Sequence, residues 1–175
     1  MTASTLHQAM TGIDEHSYRS VFRRHPGGIV VVTADGGRGP AGFTVTSLVS
    51  ASLDPPLVSF SVARTSSTWP HIRDARSAAV HFLGAHQDGI ARRFATSGIS
   101  RFDHPTRWHR LPTGEPVLDD VPAILRITIQ NRIPVGDHFM VIGEVVDIAE
   151  GDGTAPLVYH SGGYHRLDNH SRLDP

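Results

Sequence analysis

Between Ile29 and Val62 the chain carries three β-type runs, Ile29–Thr33, Gly42–Leu48 and Leu57–Val62, separated only by turns rich in glycine, proline and aspartate. None of these connections holds the dozen or so residues that a crossover between parallel strands needs. Antiparallel pairing follows, which disfavours a doubly wound parallel sheet and predicts a closed or nearly closed barrel with two or three peripheral helices. The Ile29–Thr33 run is β-branched almost throughout, the mark of a strand covered on both faces. The turn after it, Asp35-Gly36-Gly37-Arg38-Gly39-Pro40, runs on to Gly42 and so spells the alternating-glycine fingerprint of dinucleotide sites. That fingerprint needs a helix directly behind it and an acidic residue about 20 positions on. Here Pro40 interrupts it and Phe43-Thr44-Val45 continues as strand, so the glycines are read as a hairpin turn.

The rest of the chain fits the same architecture. Asp14–His25 reads as a short helix with Tyr18, Val21 and Phe22 on one face and Arg19, Arg23 and Arg24 on the other. Ser66-Ser67-Thr68 followed by Pro70 has the form of a helix start, ending near Ala75. Ala78–Leu83 is a strand, and Gln87–Thr96 is a helix with Ile90, Ala91 and Phe94 on one stripe and Gly98 at its stop. Arg101–Val121, with Pro105, Pro112 and Pro116, has no period and reads as a long ordered loop that could rim a site. Ile124–Ile133 and Phe139–Ile148 form a long antiparallel pair, closed by short strands at Leu157–His160 and Tyr164–Leu167. The expected organisation is a leader at 1–13, one domain at 14–167 and a polar tail at 168–175.

Charge and composition remove whole classes of function. With 16 basic and 17 acidic residues the net charge is −1, leaving no electrostatic footprint for nucleic acid or anionic lipid. The absence of cysteine excludes disulfides, thiolate nucleophiles and cysteine-ligated metals. No apolar run approaches the ~20 residues of a membrane span, and Met1–Thr11 lacks the features of a signal peptide, so a cytoplasmic location is expected. The 12 histidines include no His-Glu-x-x-His motif and no i, i+4 pair within an expected helix, so no metal site is predicted. There is no nucleophile elbow of a serine hydrolase.

Four segments remain with chemistry to explain. Gly42-Phe43-Thr44-Val45-Thr46-Ser47 leads towards Ser52-Leu53-Asp54-Pro55-Pro56-Leu57, a hydroxyl-rich strand before a rigid double-proline turn. On the residues alone this is either a strand with one hydroxyl-lined face or a set of donors and acceptors for a polar ligand. Arg64-Thr65-Ser66-Ser67-Thr68 is either a helix cap or an anion site. Gly136-Asp137-His138 has the composition of a hairpin tip, and Pro156-Leu157-Val158-Tyr159-His160 lies near the end.

In that order, from about Phe22 to Leu167, these segments resemble the flavin reductase family. The resemblance implies a mainly β fold with peripheral helices, the antiparallel flavin-binding split β-barrel. It implies hydride transfer from NADH, rather than NADPH, to FAD or FMN, with a slight preference for FAD. Thr44, Val45, Thr46, Ser47, Ser50, Ala51 and Ser52 would hold the flavin ring. Ser66, Ser67 and Thr68, with Arg64, would hold its phosphate. His138, oriented by Asp137 and helped by His25 or Tyr164, would place the nicotinamide. Such proteins supply reduced flavin, by diffusion, to a separate flavin-dependent monooxygenase. A homodimer is also implied, with Phe102, Trp108 and Leu111 as candidate contacts. Two alternatives stay open: a split-barrel oxidase of a small phosphorylated amine, and a non-catalytic flavin- or haem-binding barrel.

Overall fold

The computed structural model describes residues 12–173, so most of the expected leader and the last two residues of the tail lie outside the described part. Helix α1 (Glu15–Arg23) starts at Asp14, whose carboxylate accepts from Ser17 N. Strands β1 (Gly27–Gly28), β2 (Val30–Ala34), β3 (Ala41–Val45), β4 (Val49–Leu53) and β5 (Pro56–Ala63) follow, then the short helix α2 (Trp69–Asp74) and β6 (Ser77–Phe82). Helix α3 (Asp88–Ala95) precedes the small strands β7 (Trp108–Arg110) and β8 (Pro116–Leu118). The long β9 (Ala123–Val135) and β10 (His138–Glu150) lead to β11 (Leu157–His160) and β12 (Gly163–Arg166).

The main sheet has seven strands in the order β3-β2-β6-β9-β10-β5-β4, every pair antiparallel. Strands β3 and β4 sit at its opposite ends, yet only residues 46–48 join them. Laid flat, such a sheet would separate its edges by roughly 29 Å, from a strand spacing near 4.8 Å. The link from Val45 to Val49 reaches about 14 Å at most. The sheet must therefore curl until its edges approach. It does so without hydrogen-bonding them to each other, which makes a barrel with one seam.

Strand β2 is buried along its whole length because it separates two cores. Val30, Val32 and Ala34 face the barrel interior with Val58, Phe60, Val62, Ile127 and Val141. Val31, with neighbouring Ile29, faces outward against Ala91 and Phe94 of α3, Leu118 and Leu157. Each fully buried side chain of this size contributes about 1.5–3 kcal/mol.

The segment read as a long loop, 101–121, is more regular than its sequence suggests. Strands β7 and β8 pair as a ribbon, and Glu115, Val117 and Leu118 are buried. Two buried polar residues tie it down. Thr33 donates its hydroxyl proton to the Pro116 carbonyl. His81 accepts from Leu118 N at 3.1 Å through Nε2, so Nδ1 carries the proton and donates to the Val31 carbonyl at 3.0 Å. Full burial pushes the His81 pKa down to about 4. Phe94, Phe102 and Trp108 form an edge-to-face chain with centroids 5.3 and 5.1 Å apart, and Trp108 Nε1 donates to the Phe102 carbonyl. Phe102 and Trp108 thus pack partly on their own core and stay half-buried.

What lies bare is elsewhere. The registers place Ile133, Met140, Ile142, Ser59, Ser61 and Val49 on one outer face of β9, β10, β5 and β4. Ile133, Met140 and Val49 are 44%, 37% and 56% exposed. On α1 the predicted apolar face, Tyr18, Val21 and Phe22, is also open to solvent.

Candidate functional site

The seam is the natural place for a ligand. Each edge strand presents a row of backbone N–H and C=O groups with no strand to pair with. Strand β4 adds a bulge: Ser50 pairs with Val58 and Ser52 with Leu57, so Ala51 is the extra residue and its peptide groups leave the ladder. The proline turn then holds the hairpin, with Leu53 opposite Pro56. Strand β4 was not separable from the turn in the sequence. It converts Ser50, Ala51 and Ser52 from loop into a bent edge.

The hydroxyls of this stretch divide in two. Thr46 and Ser47 are exposed on the link across the seam, and Ser47 Oγ accepts from Ser61 N at 3.0 Å. Thr44 instead donates to the Ala91 carbonyl at 2.6 Å, so its hydroxyl is committed to holding α3. Val45 is 3% exposed and belongs to the interior. Thr44 therefore has its hydroxyl proton committed, and Val45 has only backbone to offer a ligand. Gly27 passes close by; a Cβ there would stand 3.2 Å from the Thr46 Cβ.

The hydroxyl turn and the hairpin tip, far apart in sequence, meet at the end of β5. His138 pairs with Ala63, and Arg64 N donates to the Asp137 carbonyl at 3.0 Å. The tip turns at Gly136, whose φ of +56° suits glycine. His138 Nδ1 lies 2.7 Å from Asp137 Oδ1, the orienting contact expected of the pair. That hydrogen bond, with the imidazole charge, holds the Asp137 carboxyl below its usual range; Arg19 of α1 adds a smaller effect. Beneath the tip Trp69 stacks on Phe139 at 3.9 Å and 11°, and the Arg64 guanidinium lies 4.9 Å from the Phe139 ring centroid. Two polar segments are thus mounted on one rigid aromatic base.

Within the turn, Ser66 Oγ accepts from Thr68 N at 3.2 Å, and Ser67 is exposed. Thr68 is 1% exposed; its Oγ donates to the Gly42 carbonyl and accepts from Arg101 Nη1 at 3.0 Å. Its hydroxyl fastens α2 to β3 and is not turned to solvent. The hydroxyls left available in the turn are those of Thr65, Ser66 and Ser67.

Two further candidates lie apart from this cluster. Tyr164 is on β12, in the separate three-stranded sheet, with Tyr159 edge-on at 5.4 Å and the Arg92 guanidinium 4.5 Å from its ring centroid. Burial raises its phenol pKa. His25 is exposed just past α1, which is tied to the β11–β12 turn by Ser161 N donating to the Arg23 carbonyl at 2.8 Å. Among the described residues no hydrogen bond or ring contact joins either to His138.

One residue near the turn had no sequence signal at all. Arg101 donates to the Thr96 carbonyl through Nε and Nη2 and to the Gly42 carbonyl through Nη1, besides its bond to Thr68. An arginine in a proline-rich stretch carries no periodicity to reveal such a role.

Comparison with known proteins agrees with this geometry. The family profile described as flavin reductase like domain matches residues 22–168. An NADH:FMN oxidoreductase of Rhodococcus erythropolis is 50% identical over 160 residues, covering 89% of this chain and 83% of the relative. Among solved structures, a flavin reductase domain protein from Arthrobacter sp. FB24 superposes with a TM-score of 0.86 at 36% identity, covering 93% of this chain and 99% of that one. A nitrilotriacetate monooxygenase component B homologue from Mycobacterium thermoresistibile gives a TM-score of 0.84 at 26% identity, covering 99% and 93%.

Proposed function

This chain belongs to the flavin reductase family, and on that premise we propose that it carries hydride from NADH to FMN and releases reduced flavin to a separate oxygenase. The hydride donor is the nicotinamide and the acceptor is the flavin, so the redox chemistry belongs to the bound coenzymes. The protein's task is to hold two planar rings in contact and in register, a matter of proximity and orientation. The observation that carries the reading is the joining of Arg64 to Asp137 through their backbones. It ties a hydroxyl turn suited to a phosphate to a histidine suited to a nicotinamide.

In this reading the seam holds the flavin ring. Thr46, Ser47 and the peptide groups of the Ala51 bulge meet its polar edge, which offers both donors and acceptors. Ser66 and Ser67, with Arg64, hold the phosphate. His138 donates Nδ1–H to Asp137 and keeps Nε2 for the nicotinamide carboxamide. FMN is favoured over FAD, and NADH over NADPH, because the 50% identical relative is an NADH:FMN oxidoreductase. The oxygenase partner is supported by the likeness to a component of a monooxygenase.

The acting unit is residues 14–167, as a homodimer built on the bare face of β9, β10, β5 and β4. Among the described residues no helix is long and apolar enough to cross a membrane, and the reading places the protein in the cytoplasm, where NADH is regenerated.

The test is NADH oxidation, followed at the reduced-nicotinamide absorbance band, with FMN and no third substrate. Turnover well above the uncatalysed rate is expected. Its absence with FMN, FAD and riboflavin alike would overturn the assignment.

A further inference from the structure

A triangle of backbone hydrogen bonds fastens the three-stranded sheet to the main sheet. Ile29 N donates to the Leu157 carbonyl at 3.1 Å, Leu157 N to the Leu83 carbonyl at 3.0 Å, and Leu83 N to the Ile29 carbonyl at 3.2 Å. Beside it, Ala85 N donates to the Ala155 carbonyl and Gly151 N to the Pro122 carbonyl, each at 2.8 Å, which fixes the 151–156 connection. The polar groups of the backbone are thus used at this join, and the surface they leave is apolar.

Between the two cores, against this triangle, lies a cavity of about 180 Å³. Its floor is Ile29, Leu83 and Leu157 from the outer core and Val30 from the barrel interior, all buried. Its rim carries Phe82, which is 37% exposed, and half-buried Leu48. Among the described residues the lining holds one polar side chain, Thr154, and no charged one. Thr154 fits there because Gly84 has no side chain; a Cβ at Gly84 would overlap Thr154 Oγ1.

Size and chemistry select the occupant. An apolar cavity of about 150 Å³ holds benzene, whereas drug-sized ligands take roughly 300–1,000 Å³. A single six-membered ring therefore fits, and a three-ring flavin or a dinucleotide does not. With no charged partner in the lining, an ionic ligand would lose its hydration without compensation. Phe82 offers an aromatic ring for an edge-on or offset contact. The exposed Thr154 hydroxyl can exchange a hydrogen bond with a hydroxyl on the ligand.

We propose that this cavity binds one uncharged monocyclic phenol, and that the bound ring tightens flavin binding through Leu48. Leu48 packs on the barrel core and ends the three-residue link across the seam, in which Ser47 is bonded to Ser61. A ring packed on Leu48 restrains Thr46 and Ser47 before the flavin arrives, so less ordering remains when it binds. The coupling rests on the placement of the flavin ring at the seam; the cavity itself does not.

Equilibrium dialysis with phenol and with toluene measures binding directly, and fluorescence titration gives the FMN dissociation constant with and without saturating phenol. One phenol per chain is expected. Thr154→Val keeps the shape and removes the hydroxyl, so phenol should weaken at least threefold while toluene stays within twofold. Gly28→Leu obstructs the exposed mouth, where an added Cβ meets nothing within 4 Å, and both ligands should weaken at least tenfold. Thermal melting verifies each variant; Phe82→Ala, with a loss of at least threefold for both ligands, replaces Gly28→Leu if that melts early. Saturating phenol should tighten FMN at least twofold in the parent, and FMN should tighten phenol by the same factor. No phenol bound by the parent at millimolar concentration, or undiminished binding by Gly28→Leu, would refute the site. Phenol that binds without changing FMN affinity would refute the coupling. Mutual exclusion of phenol with FMN or NADH would make the cavity part of a coenzyme site and refute the proposal. A parent that binds phenol but no flavin would refute the flavin assignment and leave the cavity standing.

Discussion

Acidification should loosen the fold through His81 before it reaches most carboxylates. The folded protein keeps this imidazole neutral down to about pH 4, whereas in the unfolded chain it titrates at the ordinary 6.5. Above pH 6.5 neither state binds the proton and stability is full. As pH falls below 6.5 the unfolded chain takes up a proton that the folded one refuses, so unfolding becomes easier until about pH 4. At one pH unit below the free value the loss is about 1.4 kcal/mol, and by pH 4 it approaches about 3 kcal/mol. Against a total of ~5–15 kcal/mol for a typical domain this is a large share. Urea unfolding at pH 7.5 and 5.5 isolates the effect, because the carboxylates whose pKa values are lowered titrate below that window. His81→Gln should be less stable at pH 7.5, since Leu118 N and the Val31 carbonyl lose ideal partners, but its stability should barely change between the two values. An equal loss on acidification in parent and variant would show that His81 is not the group responsible.

Three other outcomes are expected. Ser66→Ala and Ser67→Ala should each weaken FMN by about 1.5–3 kcal/mol per charge-assisted bond and leave riboflavin nearly unchanged; equal weakening of both in a fluorescence titration would reduce the turn to a helix cap. His138→Ala should raise the KM for NADH and lower kcat, with FMN affinity fixed and a smaller effect from Asp137→Asn; unchanged steady-state NADH kinetics would return the tip to an ordinary hairpin. A specific dimer buries at least about 1,000 Å² in total, so Met140→Asp on the bare sheet face should turn a dimer into a 19.0 kDa monomer by light scattering; a parent that is already monomeric at micromolar concentration would contradict the dimer.

The elements that the sequence revealed were those specified locally. Ile29–Thr33, the two long strands and the α3 stripe show their periods within a single window, and Asp137 orients His138 because the two are neighbours. Strand β4 hid because Val49-Ser50-Ala51-Ser52-Leu53 is weakly β-forming and broken by the bulge; only pairing with β5 makes it a strand. The β7–β8 ribbon hid for a related reason, being held by Thr33 and His81 from strands remote in the chain. Phe102 and Trp108, candidate subunit contacts, continue the packing begun by Phe94 and stay half-buried. Thr44 and Thr68 had the right chemistry for a ligand, but tertiary contacts with Ala91 and Gly42 use their hydroxyls. Arg101, hydrogen-bonded to two carbonyls and one hydroxyl brought together only by folding, left no trace in the sequence.

The seam has a bearing on shelf life. Bare strand edges invite the strands of neighbouring molecules, the first step towards cross-β association. The extra residue at Ala51 bends β4, so that an incoming strand would lose its register after one or two pairs. The same kink that frees peptide groups for a small planar molecule therefore makes the edge a poor seed for fibrils. Deleting Ala51 would straighten β4 and leave a continuous ladder on offer. Concentrated stocks of that variant, stored without ligand, should aggregate with a lag that seeding abolishes, while the parent stays clear.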